Sequence, residues 1–129
     1  MRAIDDHAAF DETEIRAAER AVESALEDSD PAAWVFHYTA DAVFDGGGDE
    51  VVQGREALLA MASAMKPMSE VSIRPLRTEG GGGHASVWFE GSWVNGRPPD
   101  EGTVVHVRGI IVWRKDSDGR WRIAMEHLS

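Results

Sequence analysis

The hydrophobic period of this chain changes near its middle, from about 3.6 residues to 2. Four stretches of the second half alternate apolar and polar residues: "SEVSIRPLRTE", "HASVWFEGSWV", "TVVHVRGIIVWRK" and "RWRIAMEHLS". The segments between them, "GGGG", "NGRPPDEG" and "DSDG", are rich in turn formers. The glycine run at 80–83 reads as a hairpin tip, because no helix and no Lys-Ser/Thr pair follows it as in a phosphate loop. The first half is helical in pattern. In "DETEIRAAERAVESALEDSD", Ile15, Ala18, Val22 and Leu26 share one face, and Asp11 with Glu14 is a start signal. Asp30 caps a second, short helix, "PAAWVFHYTA", with Pro31 at its first position and Trp34 one turn before Tyr38. "DAVFDGGG" reads as a short strand running into a turn. "VVQGREALLAMASAMKP" reads as a further strand and a third helix, whose apolar face is Leu58, Met61, Ala62 and Met65 and which ends at Pro67. Three helices before an antiparallel meander predict an α+β fold, with the helices packed on one face of a curved sheet.

The chain of 129 residues suits one domain at 11–129, preceded by an N-terminal arm at 1–10. There is no cysteine, which excludes disulfides and thiolate metal sites. His7, His37 and His84 lack metal-ligand spacing, so no metal and no organic cofactor are expected. His37 reads as a packed core residue. A net charge of -10 opposes a phosphate backbone and argues against a nucleic-acid partner. The acids concentrated in residues 1–30 read as the solvated face of a helix. No apolar run approaches the ~20 residues of a membrane span. The N-terminus carries an acidic pair where a secretory leader would be apolar, so a cytoplasmic location is expected.

Strand arithmetic locates a candidate site. If "DSDG" is a four-residue hairpin loop, Lys115 pairs with Arg120, Trp113 faces Arg122, Ile111 faces Ala124 and Gly109 faces Glu126. The "NGRPPDEG" loop then puts Trp88 or Glu90 across from Gly109. A glycine in a central strand marks a bulge or a close approach, and here its surroundings would be Glu126, Trp88 and Glu90. A single β-bulge would swap the faces. Glu126 and His127 are strand neighbours and point to opposite sides, so they form no dyad. A carboxyl walled by Trp34, Tyr38, Phe44, Trp88 and Trp113 would have a raised pKa and suit proton shuttling. The competing reading pairs Glu126 with Arg122 or another cation. Glu90, ~10 Å away by strand spacing, is a candidate second acid or else a rim residue. Tyr38 and Trp34 serve as core or ligand contacts. His106 and Arg108 fall on the outer face with the apolar Val87, Phe89 and Trp93, which predicts a homodimer through that face.

"SDPAAWVFHYTADAVFDGGGDEVVQGREAL" and "RGIIVWRKDSDGRWRIAMEHLS" resemble the SnoaL-like proteins of the nuclear transport factor 2-like superfamily. That superfamily includes ketosteroid isomerases and polyketide cyclases. The resemblance covers roughly residues 12–129. It implies a cone-shaped fold in which three N-terminal helices pack into a strongly curved, mixed or antiparallel sheet. It also implies a pocket open at one end and dimers through the outer sheet face. Tyr38 falls on a tyrosine that lines the steroid site, and Ala124, Glu126 and Leu128 fall on inward positions. The isomerase's catalytic base falls on or beside Gly46, with Asp45 pointing away. Its oxyanion-hole tyrosine falls near Val22, and its second acid on Gly109 or Ile111. The steroid-isomerase machinery is therefore absent. The inward arginines of the related kinase association domain fall on Trp88, Ile111 and Leu128. The expectation is a cofactor-free isomerase or cyclase acting on a small hydrophobic molecule, with Glu126 moving a proton and Tyr38 bonding a developing oxyanion. Trp34, Phe44, Trp88, Glu90, Gly109, Ile111, Trp113 and Leu128 would contact the ligand. The alternatives are a non-catalytic binding protein and a scaffold domain acting through its sheet face.

Overall fold

The computed structural model describes residues 11–129; the predicted arm at 1–10, with His7, lies outside the described residues. The chain runs α1 (Glu12–Glu27), α2 (Pro31–Val35), β1 (Tyr38–Asp45), β2 (Val51–Gln53), α3 (Arg55–Ser63), β3 (Met68–Gly81), β4 (His84–Asn95), β5 (Val104–Lys115) and β6 (Trp121–Leu128). One six-stranded sheet has the order β2-β1-β6-β5-β4-β3. The β1–β6 pair is parallel and every other pair is antiparallel. Register shifts interrupt β3, the β5–β6 pair and the β1–β6 pair, and such bulges bend a sheet.

Local chemistry fixes the helices. Asp11 caps α1 by accepting from the Thr13 N–H at 2.9 Å, and Asp30 caps α2 by accepting from the Ala33 N–H at 3.1 Å. The buried residues of α1 are Ile15, Glu19, Val22 and Ala25, spaced by three or four. The acids of this helix are more than a solvated face. Glu23 and Glu27 accept from the backbone N–H groups of Ile73 (2.6 Å) and Val71 (3.0 Å) on edge strand β3. Glu14 accepts from Trp121 Nε1 at 2.9 Å, and buried Glu19 binds Arg16 at 2.7 Å. Two carboxylates thus occupy donors that an open sheet edge would otherwise present.

The second helix stops at Val35, and Tyr38 opens β1 instead of closing a helical turn on Trp34. The cause is tertiary: the His37 carbonyl accepts from the Ile123 N–H at 2.7 Å, so the chain is already in the sheet there. Even so, the Trp34 and Tyr38 rings lie 4.7 Å apart.

Both hairpin registers differ from expectation by one residue. Asp116 N–H donates to the Arg120 carbonyl at 2.8 Å, so Arg120 belongs to the loop and Lys115 pairs with Trp121. A bulge then follows, because Trp113 pairs with Ile123 while Val112 pairs with Met125, leaving Ala124 as the extra residue. Without that bulge, Glu126 would share the face of Arg122; with it, Glu126 stands opposite Ile111 on the face of Ile123 and Trp113. At the other hairpin, the Asn95 N–H donates to the Thr103 carbonyl at 2.9 Å, which extends β4 by one residue. Phe89, and neither Trp88 nor Glu90, therefore lies opposite Gly109. The inner face of β4 is Ala85, Val87, Phe89, Gly91 and Trp93. Val87 and Phe89 are 0% and 3% exposed, which overturns their assignment to the outer face.

Candidate functional site

The concave side of the sheet and the three helices enclose a cavity of about 330 Å³. Helix α1 contributes Val22 and Leu26, α2 contributes Trp34, and α3 with its exit loop contributes Met61 and Met65. From the sheet come Tyr38 and Phe44, Phe89 and Trp93, Ile111 and Trp113, Ile123, Glu126 and Leu128. The wall is almost wholly apolar. Its lining residues with polar side-chain groups are Glu126, Tyr38, Ser72, Ser92 and the tryptophans Trp34, Trp93 and Trp113. The Trp113 indole N–H stands out. That N–H is buried and has no hydrogen-bond partner among the described residues.

Three neighbouring elements build the polar end. Phe44 on β1 is in register with Glu126 on parallel β6, and Trp34 packs its ring 4.7 Å from Tyr38 and 6.2 Å from Phe44. The Tyr38 hydroxyl donates to Glu126 Oε1 at 2.5 Å. Oε2 has no partner among the described residues. Burial pushes the Glu126 pKa up to about 7, against the downward pull of the Tyr38 hydrogen bond. The Tyr38 hydroxyl is held well above its ordinary range by burial first, and then by the neighbouring carboxylate. A half-buried acid that exchanges its proton near neutral pH can both accept and donate one.

Among the described residues no cation answers this carboxylate. Arg122, the partner considered from sequence, is 8% exposed and turned away. Its Nε donates to the Phe36 carbonyl at 3.0 Å, and its guanidinium meets Asp116 at 3.1 Å and Asp118 at 3.0 Å. His127 points outward to Asp45, at 3.1 Å. His37 is half-buried and does not line the cavity; its pKa is lowered by burial and by Arg122 and Arg120. No three His, Asp or Glu side chains among the described residues could hold a metal ion together.

The cavity thus brings together Glu126, Tyr38, Trp34, Phe44, Ile111, Trp113 and Leu128 from the residues singled out in sequence. It leaves out three. Trp88 lies on the outer face with Arg77 stacked over its ring, 5.5 Å from the centroid. Glu90, on the same outer face, pairs with Arg74 and approaches Arg108 at 4.0 Å. It is therefore no second acid in the cavity. Gly109 does not line this cavity: a Cβ there would sit 2.2 Å from the His127 carbonyl oxygen and 3.1 Å from the Phe89 ring. Its absent side chain lets β6 and Phe89 close in. Phe89 and Trp93, which the register error had turned outward, supply the missing aromatic wall. Met65, at the end of the predicted apolar helix face, lines the cavity too.

A family model, the SnoaL-like domain, matches residues 18–123. No curated protein matches the chain significantly. Among solved structures, a ketosteroid isomerase-like protein from Erwinia carotovora atroseptica is similar, with 21% identity and a TM-score of 0.71 over 89% of this chain and 92% of that one. An NTF2-like protein of unknown function from Pseudomonas putida has 21% identity and a TM-score of 0.74, over 91% of this chain and 84% of its own. An NTF2-like superfamily protein from Salmonella enterica serovar Typhimurium has 19% identity and a TM-score of 0.71, over 91% and 88%. At such identities these likenesses show a shared fold. Among the described residues no helix is long and apolar enough to cross a membrane.

Proposed function

This chain belongs to the SnoaL-like domain family, and we propose that it binds a small hydrophobic molecule in the cavity and exchanges a proton with it through Glu126. One observation carries the reading: a carboxyl poised near pH 7 in an apolar, aromatic cavity, its hydrogen-bond partner among the described residues a tyrosine hydroxyl. The chemistry is of the cofactor-independent isomerase or cyclase kind. Glu126 takes a proton from an acidic C–H of the ligand and returns it at another atom. Tyr38 positions the carboxyl while it is charged. Once Glu126 holds the proton, it no longer needs the Tyr38 hydrogen, and that hydroxyl is free to donate to the ligand oxygen where charge develops. One structural neighbour, a ketosteroid isomerase-like protein, accords with this reading. The test is a thermal-shift panel of neutral polycyclic ketones, quinones and terpenoids, on wild type and Glu126→Gln. Hits then go to solvent-deuterium exchange by mass spectrometry. Exchange into a bound ligand that Glu126→Gln abolishes supports proton transfer. Binding without exchange in either protein leaves a binding function only.

The outer sheet face favours self-association as a second property. Register places Trp88 beside Ile110, and Val112 beside Met125, all half-buried, next to the Arg74, Glu90 and Arg108 row. We assign a homodimer to this face. Analytical ultracentrifugation at micromolar concentration should give twice the 14.1 kDa chain mass, and a monomer would overturn the assignment.

A further inference from the structure

Among the described residues the cavity has one carboxylic acid, aromatic rings beside it and no basic side chain in its wall. The residues that could have neutralised Glu126 are engaged elsewhere, Arg122 with Asp116 and Asp118, and His127 with Asp45 on the far face. Arg55 donates to the Tyr38 backbone carbonyl and so stays out of the cavity. Tyr38 spends its single hydroxyl hydrogen on Oε1. Oε2 remains as an acceptor without a donor among the described residues.

A ligand complementary to this end must bring a donor and no negative charge. Rings add a further preference. Trp34, Tyr38 and Phe44 form a contiguous aromatic group, with centroids 4.7 and 6.2 Å apart, and Phe44 stands beside Glu126 across the β1–β6 pair. The faces of aromatic rings attract cations, most strongly where water is excluded. A carboxylate oxygen beside such a group suits an ammonium. The rest of the cavity, apolar but for the two serine hydroxyls and the indole N–H groups, suits a compact hydrocarbon body.

We propose that the polar end of this cavity is a recognition site for a protonated amine, with the ammonium N–H donating to Glu126 Oε2 against the Trp34–Tyr38–Phe44 group and the amine's apolar body filling the cavity. The proposal rests on the reading of the cavity as the ligand site and adds the head group that the site selects. An amine bound there holds Glu126 ionised and occupies the oxygen that would accept a substrate proton. Hydrophobic amines are therefore ligands that block proton transfer, and carboxylic acids are excluded by charge.

Calorimetry at pH 8 with three probes of equal apolar body tests it: 1-adamantylamine, 1-adamantanol and adamantane-1-carboxylate. The amine should bind at least about tenfold more tightly than the alcohol, because only the ammonium adds opposite-charge attraction to its hydrogen bond with the carboxylate in a water-poor site, and the carboxylate should not bind. Glu126→Gln should bring the amine down to about the alcohol's affinity, because it removes that attraction, while the alcohol, which keeps a neutral hydrogen bond to the glutamine oxygen, should weaken by less than about tenfold. Phe44→Leu should cost the amine about three- to tenfold relative to the alcohol, the range of a partly desolvated cation–π contact. An amine that binds no better than the alcohol, or that ignores Glu126→Gln, overturns the proposal. Should the alcohol bind while the amine does not, the cavity reading stands and the amine proposal alone falls. Binding of none of the three overturns both.

Discussion

Two glutamates face opposite ways from the same sheet, Glu126 on β6 and Glu90 on β4, with β5 between them. Glu90 sits among Arg74 and Arg108 at the solvent side. Water and two guanidiniums surround its carboxylate. Glu126 has hydrocarbon, aromatic rings and one hydroxyl, and its pKa is pushed up to about 7. Identical side chains thus have different chemistry, because one residue of strand register decides which solvent each meets. On β6 the register is set by the bulge at Ala124. The inside of this sheet is where a proton can be traded near neutral pH.

The comparison breaks most severely where the two faces meet. Gly109→Ala drives a Cβ to within 2.2 Å of the His127 carbonyl oxygen. It should cost about 3 kcal/mol or more of stability, the upper range for overpacking. It should also disturb Glu126, which lies one residue before His127. Urea denaturation measures the loss.

Glu126→Gln should act in the other direction. The folded pKa of about 7 lies above the ordinary glutamate value of 4.5. Between those values the native carboxyl holds a proton that the unfolded chain has released, so stability falls as pH rises through the window and levels off above it. Glutamine, always neutral and still able to accept from Tyr38, escapes this penalty. At pH 8 the variant should therefore be more stable by about 2–3 kcal/mol, from ~1.4 kcal/mol per pKa unit. The gain should vanish near pH 4. Paired melts across pH 4–8 show whether it does.

Smaller effects sharpen the contrast. Tyr38→Phe removes the one hydrogen bond that lowers the Glu126 pKa. The carboxyl should titrate higher, and stability should drop by about 1 kcal/mol at pH 8 for a lost hydrogen bond. Glu90→Gln should change stability by less than about 0.5 kcal/mol, as for exposed ion pairs. It should leave ligand affinity untouched; calorimetry with any cavity ligand checks the second point.

The elements and their order were legible because helix caps and strand alternation are local signals. Asp11, Asp30 and Pro31 marked helix starts without reference to the rest of the fold. The parallel β1–β6 pair was not legible, since it joins residues far apart in sequence, and it is what draws Tyr38 out of the helix. Facing depended on single residues in two loops. Arg120 joins its loop, and Asn95 stays in its strand, held by Trp93 Nε1 donating to its Oδ1 at 3.1 Å and by its own Nδ2 donating to Asp100 at 3.0 Å. The first slip was offset by the bulge at Ala124, so Glu126 was placed inside by two compensating differences. The second was not offset, and it exchanged Phe89 and Trp93 for Trp88 and Glu90. One signal pointed the right way: Val87, Phe89 and Trp93 are too apolar a set for a solvent face.

Whether Glu126 titrates near neutral pH inside the apolar cavity is measured directly by a carbon-13 NMR titration of glutamate side-chain carboxyls, with Glu126→Gln supplying the assignment. One glutamate resonance, missing in the variant, should show a midpoint near pH 7. If the resonance lost in Glu126→Gln instead titrates near the ordinary glutamate value of 4.5, Glu126 is solvated and the proton-transfer reading is wrong.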